Sequence, residues 1–296
     1  MNKSSFSFLH KDFDLDQFIR HALKEDIASG DHTSLAIISP DKKNKAHLMI
    51  KEDGILAGVE LAKKIFSVVD KNLKITVYKN DGSEIKRGDI VFSVEGSSYS
   101  ILAAERVMLN CIQRMSGIAT MTNKLVNLCK PYKVKVVDTR KTTPLMRAIE
   151  KWAVRIGGGY NHRFGLYDMM LIKNNHIDFA GGIRPAIESA NNYLKKNKLK
   201  LQIEIEARNM KEVKEILAVG RIDRILLDNF SVSKVKKAIQ FINGKYETEI
   251  SGGVNKKNIN RYASCGADYI SVGALTHSVK SLDISLTAST FLQEKK

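Results

Sequence analysis

Residues 134–141 read VKVVDTRK and residues 169–176 read MMLIKNNH. Each is a short apolar run that stops at basic and amide residues, and Asn161-His162-Arg163 lies between them. A brief apolar run bounded by polar breakers reads as a buried strand, and a charged residue at its end is held in place by the sheet. The pattern recurs at 201–205 before Glu206, 224–227 before Asp228-Asn229, 248–250 before Ser251-Gly252-Gly253, and 269–272 before Gly273. Helical spacing fills the intervals. Parallel strands need crossover helices, so this alternation predicts an α/β barrel with its working residues at the carboxyl ends of the strands. Six strands are evident, which points to an incomplete, open barrel of about six or seven parallel strands.

Ahead of Pro131 the texture is mixed. The spacing predicts helices over 15–25 and 59–69, strands over 46–51 and 75–79, and a turn at Asp81-Gly82. A long helix is expected over 99–130, with Ala103, Val107, Cys111 and Met115 four residues apart and Gly117 interrupting or bending it. The expected organisation is an α/β domain over 1–130, a barrel over 131–280, and a terminal segment, 281–296, that returns to the first domain. The character of 281–291 is left open between helix and strand. Gly157-Gly158-Gly159 lacks the Lys-Ser or Lys-Thr of a phosphate loop and reads as a flexible connection.

The chain has 296 residues, 43% of them hydrophobic, so it can bury a substantial core. Its formal net charge of +16 invites polyanionic partners. Much of the excess, such as Lys195-Lys196 and Lys234 to Lys237, falls on or between helices where a solvated face is the ordinary reading. Cys111, Cys129 and Cys265 are far apart and lack metal-ligand spacing, which fits a reducing cytoplasm. No apolar run reaches the ~20 residues of a membrane span, and the first eighteen residues carry early acids without a signal-peptide core.

Arg140, Lys141, His162, Arg163 and Lys173 come from two successive strand ends and the loop between them. A convergent set of this kind suits a small dicarboxylate or a phosphorylated sugar, because Arg offers a planar fork and Lys a movable point charge. Glu206 and Asp228 end consecutive strands and can face one cavity, where two carboxylates beside phosphate suggest Mg²⁺. Glu204, on the same strand face as Glu206, competes for that role. Ser251-Gly252-Gly253 and Gly273-Ala274 offer unobstructed backbone N–H groups for phosphate, or simply tight turns. His47, His176 and His277 read as structural or supporting residues.

Many motifs in order now resemble the quinolinate phosphoribosyltransferase family. They are Glu25-Asp26-Ile27 with Gly30 to Thr33, Glu105-Arg106-Val107 with Leu109-Asn110, Ser116 to Thr120, Asp138 to Pro144, Gly157 to Arg163, Ile172 to His176, Leu226 to Phe230 and Ser271 to His277. Two departures are small: Ala28 and Ser29 precede Gly30, and one extra residue lies between Glu206 and Asp228. The resemblance implies an amino-terminal α/β sandwich domain joined to the open barrel, and at least a homodimer in which Arg106 reaches the neighbouring active site. By the same match, Arg140, His162, Arg163 and Lys173 would hold quinolinate, and Lys141 would help bind phosphoribosyl pyrophosphate. Glu206 and Asp228 would sit near the ribose and Mg²⁺, and Ser251, Gly252 and Gly273 would contact phosphate. Lys141, Glu206 and Asp228 are the expected catalytic residues.

Competing readings stay in view. Nicotinate phosphoribosyltransferase is a related activity, disfavoured by the full set of dicarboxylate-binding cations. Aldolase-like chemistry at Lys173 leaves the arginines and paired acids without a role. A basic nucleic-acid-binding protein would use the net charge, but the aromatics form no stacking platform.

Overall fold

The computed structural model describes residues 9–289. Residues 1–8 and 290–296 lie outside the described part, and with them part of the amino-terminal reading and the end of the 281–296 segment. In chain order the elements are α1 (Leu15–Ile27), α2 (His32–Ile37), β1 (Lys43–Ile50), β2 (Gly54–Ile55), α3 (Val59–Val69), β3 (Lys74–Val77), β4 (Glu84–Ile85), β5 (Ile90–Ser97) and α4 (Ser98–Cys129). There follow β6 (Lys135–Val137), α5 (Arg147–Ile156), β7 (Met170–Ile172), α6 (Asn174–Phe179), α7 (Ile183–Asn197), β8 (Ile203–Ala207), α8 (Met210–Val219), β9 (Arg224–Asp228) and α9 (Val232–Ile242). The last are β10 (Glu247–Ser251), α10 (Ile259–Ala263), β11 (Tyr269–Ser271), α11 (Ala274–His277) and β12 (Ile284–Ala288). No helix among the described residues is long and apolar enough to cross a membrane.

The chain forms two compact units: one takes the described residues up to Asn123, Pro144–Gly158 and those from Val279 onward, and the other takes Lys124–Thr143 and Gly159–Ser278. This differs from single cuts at 130 and 280. Helix α5 falls in the first unit because it buries Ala148, Ile149, Trp152, Ala153 and Val154, and because its fully buried Glu150 accepts from Arg114 Nη2 of α4 at 2.7 Å. Local sequence carries no sign of so distant a partner.

In the first unit an antiparallel sheet has the order β12-β1-β5-β3. Helix α3 buries Val59, Leu61, Ala62, Ile65 and Phe66, and the Phe66 ring meets Phe92 of β5 edge to face, centroids 6.1 Å apart. The Asp81-Gly82 turn also caps α3, because Asp81 Oδ1 accepts from the Gly58 and Val59 N–H groups at 2.7 and 2.8 Å and so satisfies the start of that helix. The described part of the terminal segment contains a strand. β12 pairs along β1 from Ala46↔Ala288 to Ile50↔Ile284.

Helix α4 runs unbroken for 32 residues, so the interruption expected at Gly117 is corrected. A Cβ there would lie 2.3 Å from the Lys280 carbonyl oxygen. The glycine admits a crossing strand of backbone instead of ending the helix. Around the crossing, Arg114 Nη1 donates to Val279 O at 2.9 Å and Gln113 Nε2 to Ile284 O at 2.7 Å. At the start of the glycine triplet the same close approach recurs, since a Cβ at Gly157 would sit 2.5 Å from Ala119 O.

All six expected strands of the second unit form one parallel sheet in the order β6-β11-β10-β9-β8-β7. Strands β8 and β9 are buried along most of their length, as parallel strands covered on both faces require. Helices α7, α8, α9 and α10 supply the crossovers from β7 to β11. Between β6 and β7 the corresponding helix, α5, belongs to the first unit, and those two strands lie at the two edges of the sheet. The result is an open barrel.

Candidate active site

A cavity of about 590 Å³ opens at the carboxyl ends of the barrel strands. Arg140 and Lys141 follow β6, His162 and Arg163 precede β7, Lys173 follows it, and Glu206, Asp228, Ser251, Gly252 and Gly273 end or follow β8 to β11. Every site residue expected from the sequence lines this one chamber except Arg106. That residue is an exposed position of α4, in the first unit.

The basic wall is built from the end of β6. Asp138, fully buried, accepts the His162 N–H at 2.9 Å, and Tyr160 N donates to Val136 O at 2.9 Å, so the loop before His162 is tied to β6. Arg163 is 8% exposed and donates from Nη1 to Met169 O at 3.1 Å. Burial, and then the positive charge of Arg140, pull its pKa below the ordinary guanidinium value. Two guanidiniums held close enough to oppose one another mark a place prepared for an anion. Lys141 is held from β11's side, where Thr276 Oγ1 donates to its carbonyl at 2.7 Å.

Opposite lies the acidic wall. Asn174 bridges it, donating from its backbone N to Glu206 Oε2 at 2.8 Å and from Nδ2 to Asp228 Oδ2 at 3.3 Å. Asn229 Nδ2 donates to Asp228 Oδ1 at 3.1 Å. Glu204 does not share this wall. It is fully buried, and its Oε2 lies 3.0 Å from His162 Nε2, so of the two glutamates Glu206 is the one that lines the cavity.

His162 therefore stands differently from the other cations. Its Nε2 faces Glu204 and also Glu249 of β10, at 3.0 and 3.3 Å, while Nδ1 accepts the Arg163 N–H at 2.8 Å. Burial disfavours the charged imidazole, but hydrogen bonds and charge from the two glutamates outweigh it and raise the pKa to about 9. The Arg163 N–H opposes a second proton at Nδ1 and tempers that rise. Glu204 is pushed up to about 7 by burial and by Glu249. His162, Glu204 and Glu249 offer three ligand atoms within 4.8 Å of one another. Arg224 Nη1 lies 3.3 Å from Glu249 and 4.0 Å from Glu204, so the cluster already has a counter-cation of its own.

Gly252, at φ +92, leaves no room for a side chain, since a Cβ would sit 2.2 Å from Asn229 Oδ1 and 2.9 Å from its backbone N. His277, expected to be structural, lines the cavity, and a Cβ at Gly273 would approach its ring to 3.1 Å. His176 is structural: its Nδ1 accepts the Lys173 N–H at 2.9 Å. Sequence reading missed Glu249, Arg224 and the bridging part of Asn174. Charged residues inside otherwise apolar strands were the available signal, because buried charges need partners.

The family model for the quinolinate phosphoribosyl transferase N-terminal domain matches residues 31–116, and that for the C-terminal domain matches residues 118–287. The chain belongs to the quinolinate phosphoribosyltransferase family. Among relatives in this family, the mitochondrial quinolinate phosphoribosyltransferase [decarboxylating] 2b of Nicotiana tabacum is 45% identical over 96% of this chain and 84% of its own length. The probable nicotinate-nucleotide pyrophosphorylase [carboxylating] of Bacillus subtilis is 40% identical over 92% of both chains. The crystal structure of NadC from Streptococcus pyogenes superposes with a TM-score of 0.88 at 39% identity, covering 94% of this chain and 99% of that one. The family's open barrel is thus the fold in which the two walls meet.

Proposed function

We propose that this chain transfers the phosphoribosyl group of phosphoribosyl pyrophosphate to the ring nitrogen of quinolinate, with decarboxylation, to give nicotinate mononucleotide, CO₂ and pyrophosphate for NAD biosynthesis. The observation that carries the reading is the single chamber in which Arg140, Arg163 and Lys173 stand with Glu206 and Asp228. A doubly acidic pyridine suits the first wall, and a sugar centre that gains positive charge suits the second.

The pyridine nitrogen uses its own lone pair to bond to the anomeric carbon, and the carbon–oxygen bond to pyrophosphate breaks with its electrons leaving on oxygen. No protein base is needed. Arg140, Arg163 and Lys173 orient the ring by its carboxylates, while Glu206 and Asp228 stabilise the oxocarbenium-like sugar. Lys141 and the turns at Ser251, Gly252 and Gly273 take phosphate oxygens. The nitrogen, once alkylated, carries positive charge that stabilises the electron pair left on the adjacent carbon as CO₂ departs, and a proton then takes its place. Transfer therefore precedes decarboxylation.

The acidic wall fits a hard divalent ion, because Asn174 holds two carboxylates from neighbouring strands side by side. Glu206 and Asp228 would hold Mg²⁺, which supplies charge neutralisation to the departing pyrophosphate. The proposal includes a homodimer in which Arg106, exposed on α4, completes the neighbouring site. It also places the protein in the cytoplasm, supported by three free, buried cysteines; plant relatives are mitochondrial or chloroplastic proteins.

Incubation with quinolinate, phosphoribosyl pyrophosphate and Mg²⁺, with each omitted in turn, tests the reading through nicotinate mononucleotide and CO₂. Desolvated cations shaped for two carboxylates discriminate against an acid with one, so kcat/KM for quinolinate should greatly exceed that for nicotinate. Equal values would refute the dicarboxylate assignment.

A further inference from the structure

Arg140 and Arg163 line one chamber, where the positive charge of Arg140 disfavours that of Arg163, so like charges must be held in place there before an anion arrives. The residues around His162 make such a joint. Its N–H is bound by Asp138, immediately before Thr139-Arg140, at 2.9 Å. Its Nδ1 is bound by the N–H of Arg163 at 2.8 Å. Its Nε2 stands within ion-pair distance of Glu204 on β8 and Glu249 on β10, at 3.0 and 3.3 Å. Strand β9, lying between β8 and β10, contributes Arg224, whose Nη1 is 3.3 Å from Glu249. One residue thus ties the end of β6, through its backbone N–H, to β8, β10 and the backbone of Arg163, through its ring.

Resting on the functional reading above, we infer that Glu204, Glu249 and His162 form a preorganising joint that keeps Arg163 facing Arg140 in the empty enzyme, and that His162 serves quinolinate as a positioning residue and not as a ligand through its ring nitrogens. Both ring nitrogens are engaged with protein, and the side chain is only 6% exposed. Glu204, Arg224 and Glu249, charged residues buried within apolar strands, are no better for folding than a well-packed apolar set, whereas they fix one orientation of one ring. A cup held open in this way binds its dianion without first spending free energy on bringing like charges together.

Selective ¹⁵N-histidine labelling of the full chain, with His162→Gln to assign the resonance, reads the ring directly. In the free enzyme Nε2 should carry a proton shared with the glutamates, and saturating quinolinate should leave both ring-nitrogen shifts in place. Glu249→Leu should raise KM for quinolinate about tenfold while KM for phosphoribosyl pyrophosphate moves less than about twofold, and Glu249→Gln, whose carboxamide oxygen still accepts from Nε2, should recover most of that loss. Ring shifts that move on quinolinate binding would overturn the joint, whether or not the Leu variant folds. So would equal effects on both KM values, or a Leu variant indistinguishable from wild type. A wild-type chain that makes no nicotinate mononucleotide would refute the function itself, whereas an active one with moving ring shifts would sink only the joint.

Discussion

Replacing Gly117 by alanine sets two effects of opposite sign against each other on α4. Helix propensity alone favours the substitution by about 0.5–1 kcal/mol, because glycine in a helix interior loses more backbone freedom than alanine. The added methyl, however, would lie 2.3 Å from the Lys280 carbonyl oxygen, 3.2 Å from its carbon and 3.2 Å from Val279 Cγ1. The first two atoms are backbone and cannot rotate away. Relief requires the chain at 279–280 to move off the helix by about an ångström, and overpacking of that kind typically costs ~1–3 kcal/mol. The displaced segment also carries the Arg114-to-Val279 and Gln113-to-Ile284 hydrogen bonds, at 2.9 and 2.7 Å. The steric term should win. Urea unfolding followed by circular dichroism should show a net loss of about 1–2 kcal/mol with an unchanged slope, and a fall in melting temperature of about 2–3 °C. A Gly117→Ala chain as stable as wild type, or more so, would refute the close-crossing explanation and restore glycine as a mere weak point of the helix.

Three further outcomes are expected. Burial and the neighbouring Glu249 hold the Glu204 carboxyl up at about 7, so the stability linked to it is fullest at low pH and is lost as pH rises from the ordinary carboxylate range towards that value; melting temperature should fall more steeply between pH 5 and 7 in wild type than in Glu204→Gln, and parallel curves would contradict this. Burial pushes the Cys111 thiol up to about 12, so iodoacetamide at pH 8 should leave it unmodified in the native protein and label it in urea, with mass spectrometry as the readout. Mixing inactive Arg106→Ala and Lys173→Ala chains under subunit exchange should restore part of the activity, because each mixed dimer would hold one intact site; persistent inactivity in demonstrated heterodimers would exclude Arg106 acting in trans.

The second unit was the more legible half. Its six strands were readable because each is an apolar run buried on both faces and cut off by a polar end, as in RILLD at β9. Helix α3 was readable to the residue, since its apolar stripe recurs at helical spacing from Val59 to Phe66. Strand β5 was not recognised, nor were the short α2, β2 and β4, whose few residues carry too little periodicity. The candidate site was visible as a set of residues, because a charged residue just past an apolar run is nearly always at a strand end.

What the amino-acid sequence determined by itself was a chemical inventory and an alternation: which cations and acids follow which strands, and that those strands run parallel. These are local properties, set by side-chain polarity and backbone periodicity over a few residues. The tertiary structure alone decided which charges face the chamber and which turn away from it. It directed Glu206 to the cavity and Glu204, two residues earlier, to His162. It also assigned α5 to the first unit and passed residue 280 across Gly117. Contacts between residues tens or hundreds of positions apart depend on how whole elements pack, and packing is fixed by the summed burial of many side chains, which no single stretch of sequence contains.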